Sequence, residues 1–511
     1  MSAQINEHLN DVAEAATPEN YWAALDIGSN SFHFVYVRER DNQLQILHRE
    51  KYEVQLALGL DEQNRLSEAA MQQGLEVLTQ LALTTENLSS DSFRVVATYT
   101  LRTAINAKQF LKRAKQVFPF DIEIISGHEE ARLIYQGVAH NHSSNEQRLV
   151  IDIGGGSTEC IIGQQLNTSV LASVPMGCVS YQQQFFADGV ISAQQFQMAI
   201  ITAKIEMESM VTRFKKVGWQ LAIGTSGTIK AIANLITEQN TPNSVHLTLA
   251  ELHQLKHQLI DFGHVSAITF SSLKDKRRPV LCSGLAILIA VFEMLDIKQM
   301  EYCDYSLRDG VLIEMMELAD VTDVRQRAIT SLQERFAVDS SQVTNVSVLA
   351  KTIFDAVQSP WQLTKSIYQK LLFWAIQVHE IGLDINSSGY HTHGEYILTY
   401  SDLAGFNQEQ QAALAWLVGN QRKKIHVLAD ETFDALKVEK IHQLGVILRL
   451  AVLLQQQRNL AQLPTISVVA NRQLLTLSFD DNWLQQRQLL NEELLHEIKL
   501  LAKLDVQVQL N

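Results

Sequence analysis

The sequence predicts an α/β protein in which two related domains face a cleft, followed by a helical domain and a small C-terminal α+β appendage. Three observations carry that expectation. First, Ala24-Leu25-Asp26-Ile27-Gly28-Ser29-Asn30-Ser31 is echoed by Val150-Ile151-Asp152-Ile153-Gly154-Gly155-Gly156-Ser157-Thr158-Glu159. In each, an apolar run ends near an Asp, a turn of small and hydroxyl residues follows, and a second apolar run begins (Phe34-Val35-Tyr36-Val37; Ile161-Ile162). That pattern reads as strand, tight turn, strand. Second, the alternation of strand-like and helix-like segments over 21–137 recurs over 138–318, which implies two α/β domains with a cleft between them. Third, after Leu318 glycine becomes sparse, glutamine becomes frequent and long helical periodicities take over.

Residues 1–20 read as a flexible leader, polar and acidic, without the basic start and apolar stretch of a signal peptide. In domain I (21–137), apolar or alternating runs predict strands at Trp22–Ile27, Phe34–Val37, Leu44–Arg49 and Phe93–Ala97. Helical spacing predicts helices at Glu68–Leu83 and at Asn106–Val117, the latter stopped by Pro119. In domain II (138–318), strands are expected at Leu149–Ile153 and Leu221–Ile223, and helices near Ala193–Phe214 and Thr228–Ile236. Leu281–Leu295 is the most apolar stretch, but it is interrupted by Ser283 and Gly284 and is too short to span a bilayer, so it reads as a buried helix. A helical domain is placed at 319–460. The tail, 461–511, holds two strand-like runs (Thr465–Val469, Leu474–Phe479), a helix and a short strand.

A net charge of −14 argues against non-specific nucleic-acid binding. A polyanionic substrate would need local basic patches and a metal. Cys160, Cys178, Cys282 and Cys303 form neither a metal pattern nor a disulfide framework, which fits a reducing cytoplasm.

The Asp-containing turns are the first chemical candidates. Glycine lets a backbone approach a ligand closely, a concavity of amides and hydroxyls suits phosphate oxygens, and an Asp at the strand end can hold Mg²⁺ or its water. This makes Gly28, Ser29, Asn30 and Ser31, and Gly154, Gly155, Gly156, Ser157 and Thr158, candidate phosphate ligands, and Asp26 and Asp152 candidate metal ligands. The turns run strand to strand and lack the Gly-Lys-Ser/Thr of a P-loop. A third small-residue turn, Gly224-Thr225-Ser226-Gly227-Thr228, runs from a strand into a helix. Ser226, Gly227 and Thr228 there suit either an anion or an ordinary N-cap.

Ser126 and Glu129 form a capping box, which leaves Glu130 in the first helical turn, either as a base for water or as a partner of the helix dipole. Arg102, in what reads as the first turn of the next helix, opposes that dipole and is a candidate phosphate grip, the alternative being a surface ion pair. Glu159, seven residues past Asp152, can face the same metal or water. Lys274-Asp275-Lys276-Arg277-Arg278, Arg308 and Arg422-Lys423-Lys424 are basic candidates for a polyanion path, each otherwise a solvated face. His379-Glu380, with His391 and His393 beyond, is similar to the histidine–aspartate pairs of metal phosphohydrolases, but Glu stands where Asp would be, and no metal is assigned there.

Leu25–His33, Thr100-Leu101-Arg102, Ile125–Ile134, Ile151–Glu159, Met176-Gly177-Cys178-Val179 and Ser226-Gly227-Thr228 together resemble the exopolyphosphatase / guanosine pentaphosphate phosphohydrolase family of bacteria. The likeness extends through His379-Glu380-Ile381-Gly382-Leu383 and Asp402-Leu403-Ala404-Gly405-Phe406. The resemblance implies an actin-like, sugar-kinase-like or heat-shock-ATPase-like fold for the first two domains. It implies a third domain similar to histidine–aspartate phosphohydrolases but without a working metal site. Glu130 is then the glutamate that activates water, Asp152 and Glu159 surround Mg²⁺ and the water, Arg102 contacts phosphate, and turns 28–31 and 154–158 are the phosphate-binding loops. It also implies a homodimer, cytoplasmic, without integral membrane association although peripheral association is allowed. Three positions depart from the family pattern: Asp309 where Glu is usual, Ser306 for a small residue, and Cys160 for an aliphatic one.

Gly156 and the stretches 388–393 and 405–410 look like the polyphosphate branch. Stretches 283–290 and 135–140 look like the guanosine pentaphosphate branch, and members of either use both substrates. Exopolyphosphatase activity on inorganic polyphosphate is the preferred reading. The alternatives are a guanosine pentaphosphate phosphatase acting in the stringent response, and a non-hydrolytic ATP- or polyphosphate-binding regulator on the same fold.

Overall fold

The computed structural model describes residues 20–40, 43–86, 88–141, 145–239, 246–317, 324–401, 403, 405–433, 435–458, 466–472, 474–480 and 483–510. The expected leader lies outside these residues except for Asn20. The chain forms two compact units, Met1–Asp320 and Val321–Asn511.

The first unit holds two sheets. Strands β1 (Asn20–Ile27), β2 (Ser31–Arg40), β3 (Gln43–Glu53), β4 (Phe93–Ala97) and β5 (Ile122–Ile124) lie in the order β3-β2-β1-β4-β5. Strands β6 (Gln147–Ile153), β7 (Thr158–Gln164), β8 (Asn167–Val174), β9 (Leu221–Thr225), β10 (His246–Leu247) and β11 (Met300–Tyr302) lie in the order β10-β11-β9-β6-β7-β8. The repeat read from the turns is a repeat of topology: β1 pairs antiparallel with β2 and parallel with β4, as β6 does with β7 and β9. The hairpins are tighter than the apolar runs suggest, because β2 restarts at Ser31 rather than Phe34. Strands β8, β10 and β11 carry too little alternation to be read from sequence.

Alternation assigns each face. Leu25 and Ile27 enter one core while Ala24 and Val35 enter another, and Leu149, Ile151 and Ile153 part in the same way from Val150 and Ile161. The cluster that receives Ala24 and Val150 also contains Leu133, Ile134 and Val138 of the helix Gly127–Asn141, and Val311 and Leu312 of the helix Leu307–Glu317. These two helices therefore form a layer between the sheets. The boundary expected at 137/138 falls inside the first of them, so the domains meet within a shared layer. The helix Arg278–Leu295 is buried continuously from Leu281 to Phe292. The segment containing it is long and apolar enough to cross a membrane, but it is packed in the core of the second sheet's domain.

In the second unit the helices Ser340–Val357, Ser366–Gln377, Gln408–Gly419 and Val438–Leu454 share one core. The strands β12 (Ile466–Ala470), β13 (Leu474–Phe479) and β14 (Gln507–Leu510) do not build a core of their own. Leu475, Leu477 and Val508 join the helical cluster, and Arg449 pairs with Glu497 from within it. The sheet buries its apolar face against the helices, so the expected appendage is part of the helical unit.

Candidate active site

Asp26 and Asp152 sit two residues beyond Ala24 and Val150, on the same strand faces, and so point toward the layer between the sheets. Register places His33 directly opposite Asp26 and Glu159 directly opposite Asp152. Directly paired side chains share a face, so Glu159 does join Asp152, while its counterpart in domain I is a histidine. Both turns close alike, Gly28 N donating to Ser31 O (3.2 Å) and Gly154 N to Ser157 O (2.9 Å). The two turns also abut. A Cβ on Gly155 would lie 2.8 Å from that of Ser29, and one on Gly156 would enter the Tyr99 ring. Glycine is required there for the domains to approach. Asn30 Nδ2 donates to Ser31 Oγ (3.2 Å). Thr158 stands apart from the cradle: its hydroxyl is fully buried and donates to Met176 O (2.6 Å), bracing the turn from behind.

Glu130 N donates to Ser126 O in the first turn of its helix. Ser126 Oγ accepts from Glu129 N (3.1 Å), one half of the expected capping box. The Glu129 carboxylate is gripped by Arg132 (2.7 and 2.6 Å), which also reaches Glu314 (2.8 Å). Glu130 points elsewhere, to Arg102 Nη1 (3.1 Å). The expected clash of Arg102 with a helix dipole is not found, because its helix is only Tyr99–Thr103 and Arg102 lies in the last turn. Its guanidinium is aimed by a second bond to Ile125 O (2.9 Å).

Four carboxyls thus gather from both domains. Burial pushes Asp26 up to about 8, with the Glu130 charge adding to the rise and Arg308 opposing it. Burial pushes Asp152 up to about 7 against a hydrogen bond from Ser306 Oγ (2.8 Å). Glu159 is held well above the usual carboxylate range by burial and by the charges of Glu130 and Asp152, while Ser173 Oγ donates to it (2.8 Å). Burial raises Glu130 too, against Arg102.

Such a cluster fits Mg²⁺. Asp26 Oδ1 is shut off from solvent and has no hydrogen-bond partner, and hard oxygen donors at strand ends are what this cation takes. Among the described residues no three His, Cys, Asp or Glu side chains form a ready-made cage. Mg²⁺ needs none, since it is commonly held by one or two carboxylates, waters and substrate phosphates.

The sign of these shifts gives a testable consequence. A carboxyl whose folded pKa is raised binds more protons when folded, so stability falls as pH rises through the interval between the unfolded and folded values. His33, pushed down to about 3 by burial, acts oppositely but only below its ordinary 6.5, and Lys51, lowered to about 8, acts only above 8. Between pH 6.5 and 8 the carboxyls act alone in this cluster. Without divalent cations the melting temperature should drop across that window, and Mg²⁺ should flatten the drop; a slope unaffected by Mg²⁺ would separate the metal from these acids.

A cationic wall faces the acids. Arg308 Nη1 lies 3.2 Å from His33 Nδ1. Burial lowers Lys51, and the positive charges of Arg277, Arg308 and Lys274 lower it further. The Arg277 guanidinium lies against Gly227 of the third turn, where a Cβ would displace it. Ser226 starts that helix at a φ of 85°, a strained conformation for a non-glycine residue, and its Oγ accepts from Thr228 N (3.3 Å). Thr228 is buried. Sequence reasoning missed His33, Lys51, Ser173 and Ser306. A signal for His33 was present, since the matching turns align it with Glu159. The departure at Ser306 also has a role, holding Asp152, and Asp309 Oδ2 accepts from Ser306 N (2.9 Å) at the helix start. In the second unit, Arg422 lies over the Tyr390 ring and Lys423 donates to Ser388 O (2.5 Å).

The Ppx/GppA phosphatase family matches residues 35–319, and Ppx/GppA phosphatase domain III matches residues 324–498. Among solved structures, an exopolyphosphatase from Cytophaga hutchinsonii is 21% identical over 58% of this chain and 98% of its own, with a TM-score of 0.54. The Aquifex aeolicus member of the Ppx/GppA family is 24% identical over 60% of this chain and 100% of its own, with a TM-score of 0.50. These two likenesses are likenesses of fold.

Proposed function

The chain belongs to the Ppx/GppA phosphatase family, and from that premise we propose that it hydrolyses the terminal phosphoanhydride of inorganic polyphosphate, releasing orthophosphate. The observation that carries this reading is Glu130, held by Arg102 (3.1 Å) and near enough to Asp152 and Glu159 for its charge to raise both. Water is the nucleophile. Glu130 accepts its proton as its oxygen bonds to the terminal phosphorus, and the bridging oxygen departs with the shortened chain. Asp152, Glu159 and Asp26 would hold Mg²⁺, which when bound neutralises phosphate charge. Amides and hydroxyls of turns 28–31 and 154–157, with those of 226–228, hold the phosphates in line. Arg102 exchanges part of its contact with Glu130 for a phosphate oxygen, which leaves Glu130 more basic. Phosphoryl transfer needs mostly positioning and charge stabilisation, and these groups supply both.

The positive charges of Lys51, Arg277 and Arg308 favour an extended anion beyond the reacting phosphate. Guanosine pentaphosphate presents the same terminal anhydride and is the second reading. Phosphate release from long polyphosphate, guanosine pentaphosphate and ATP, measured in parallel, tests the proposal: kcat/KM highest on polyphosphate supports it, a preference for the nucleotide replaces it with the second reading, and no release from any of the three leaves a binding regulator.

Lys51→Met should raise KM for long polyphosphate about tenfold with kcat little changed, because a contact made equally in ground and transition states affects binding only. Initial rates across chain lengths would check this, and a fall in kcat alone would place Lys51 at the reacting phosphate instead.

A further inference from the structure

Three strands of the first sheet contribute one residue each to a row. Asp26 of β1 stands opposite His33 of β2, and His33 stands opposite Lys51 of β3. Directly paired side chains share a face, so Lys51 continues the row that begins at Asp26. Two residues away on either side along β3, Arg49 and Glu53 share that face. Residues of domain II engage both: Asp309 pairs with Arg49 (3.4 Å) and Lys276 with Glu53 (3.1 Å). Lys51, between them, is open to solvent and makes no hydrogen bond or ion pair with any described residue.

What surrounds Lys51 is mostly positive. Arg308 reaches His33, its neighbour in the row (3.2 Å), and Arg277 lies against the third turn at Gly227. Partial burial lowers the Lys51 amine to about 8; the charge of Arg277 adds to the fall, Glu53 opposes it, and Arg308 and Lys274 add again. At pH 7.5 roughly a quarter of such amines are neutral, against about one in a thousand for an ordinary lysine. A lysine beside other cations becomes a nucleophile for this reason. The same arginines are suited to hold phosphate oxygens. A free amine and a grip for phosphate therefore adjoin each other.

We propose that Lys51 is a self-acylation site for acyl phosphates, whose phosphate end is held by Arg277 and Arg308 while the carbonyl carbon meets Lys51 Nζ. The inference rests on the reading that this cationic group holds phosphate. The amine lone pair attacks the carbonyl carbon, and an amide bond forms. The bond from that carbon to the phosphate oxygen breaks, its electron pair leaves on orthophosphate, and the amine proton passes to water. Nothing is oxidised or reduced. Acylation removes the lysine's positive charge, so it weakens the hold on the distal part of a long polyphosphate and leaves the acids untouched.

The test treats the full chain with acetyl phosphate at pH 7.5 and reads each lysine by peptide mass spectrometry. Lys51 should be acetylated about tenfold or more faster than Lys298, whose side chain is 87% exposed, at a rate that saturates with acetyl phosphate. Methylenediphosphonate, which has no anhydride bond to hydrolyse, should protect Lys51 and leave Lys298 reacting. Treatment should raise KM for long polyphosphate about tenfold. Lys51→Arg keeps the charge but has no amine to acylate, so treatment should leave its KM where it started. Labelling of Lys51 no faster than that of Lys298 overturns the proposal, as does labelling that fails to saturate or that methylenediphosphonate fails to prevent. A KM that does not rise, or that rises equally in Lys51→Arg, also overturns it. Calorimetric titration with methylenediphosphonate separates the two readings: binding without labelling removes the acylation alone, and no binding removes the phosphate site with it.

Discussion

Glu130→Gln is expected to lower kcat on polyphosphate by about a hundredfold or more, the usual contribution of a positioned base, while KM moves little. The amide keeps the shape of the carboxyl and can still accept from Arg102, so the local geometry should survive. It loses only the capacity to take a proton from water. Folding should not suffer: Glu130 is 7% exposed and burial already disfavours its charge, so a neutral isostere removes a desolvation cost while keeping a hydrogen bond. Melting temperature and single-turnover phosphate release, measured together, check the prediction. A folded variant that keeps its turnover would remove Glu130 from the chemistry and leave Glu159 as the carboxylate to examine next.

Gly310→Ala should cost stability and activity together, although it lies outside the phosphate cradle. The helices Gly127–Asn141 and Leu307–Glu317 cross with their backbones in contact, and a Cβ at position 310 would sit on the carbonyl of Leu133; one at Gly137 would strike that of Ser306. Two opposing terms decide the sign. Alanine in a helix interior gains about 1 kcal/mol over glycine, whereas overpacking against atoms that cannot rotate away costs about 1–3 kcal/mol, occasionally more. Here the obstacle is main chain, so the second term should win. The helix that must shift carries Glu130 one turn before Leu133, and the loop beside it carries Ser306, which holds Asp152 (2.8 Å). A net loss of about 1–2 kcal/mol, with a fall in kcat at temperatures where the protein is still folded, is the expected pair of results. An unchanged melting temperature with full activity would mean that the crossing has slack.

Local features were legible because they are written in neighbouring residues. The Asp-containing turns follow from strand periodicity broken by glycine and hydroxyl residues, and Glu130 was left over once Ser126 and Glu129 were assigned to the helix start. The sheets' hidden members were not legible, since β10 and β11 are two and three residues long. Arg102 was placed in the wrong part of its helix because a five-residue helix leaves no periodicity to measure. Thr158 looked like its neighbours in sequence, yet strand pairing turned its hydroxyl inward.

The amino-acid order alone determined that two copies of one supersecondary unit precede a helical region, and that each copy ends a strand in an aspartate beside a phosphate-sized turn. Those properties depend on side-chain periodicity and backbone permissiveness over fewer than a dozen residues. Only the tertiary structure decided that Glu159 faces Asp152 while His33 faces Asp26, that Lys51, Arg277 and Arg308 form one wall, that Ser306 steadies an acid 154 positions away, and that Arg458 bridges Asp339 and Glu380. Electrostatic and hydrogen-bond partnerships depend on distances of a few ångströms between segments remote in the chain, and those distances do not exist until the sheets and helices have packed.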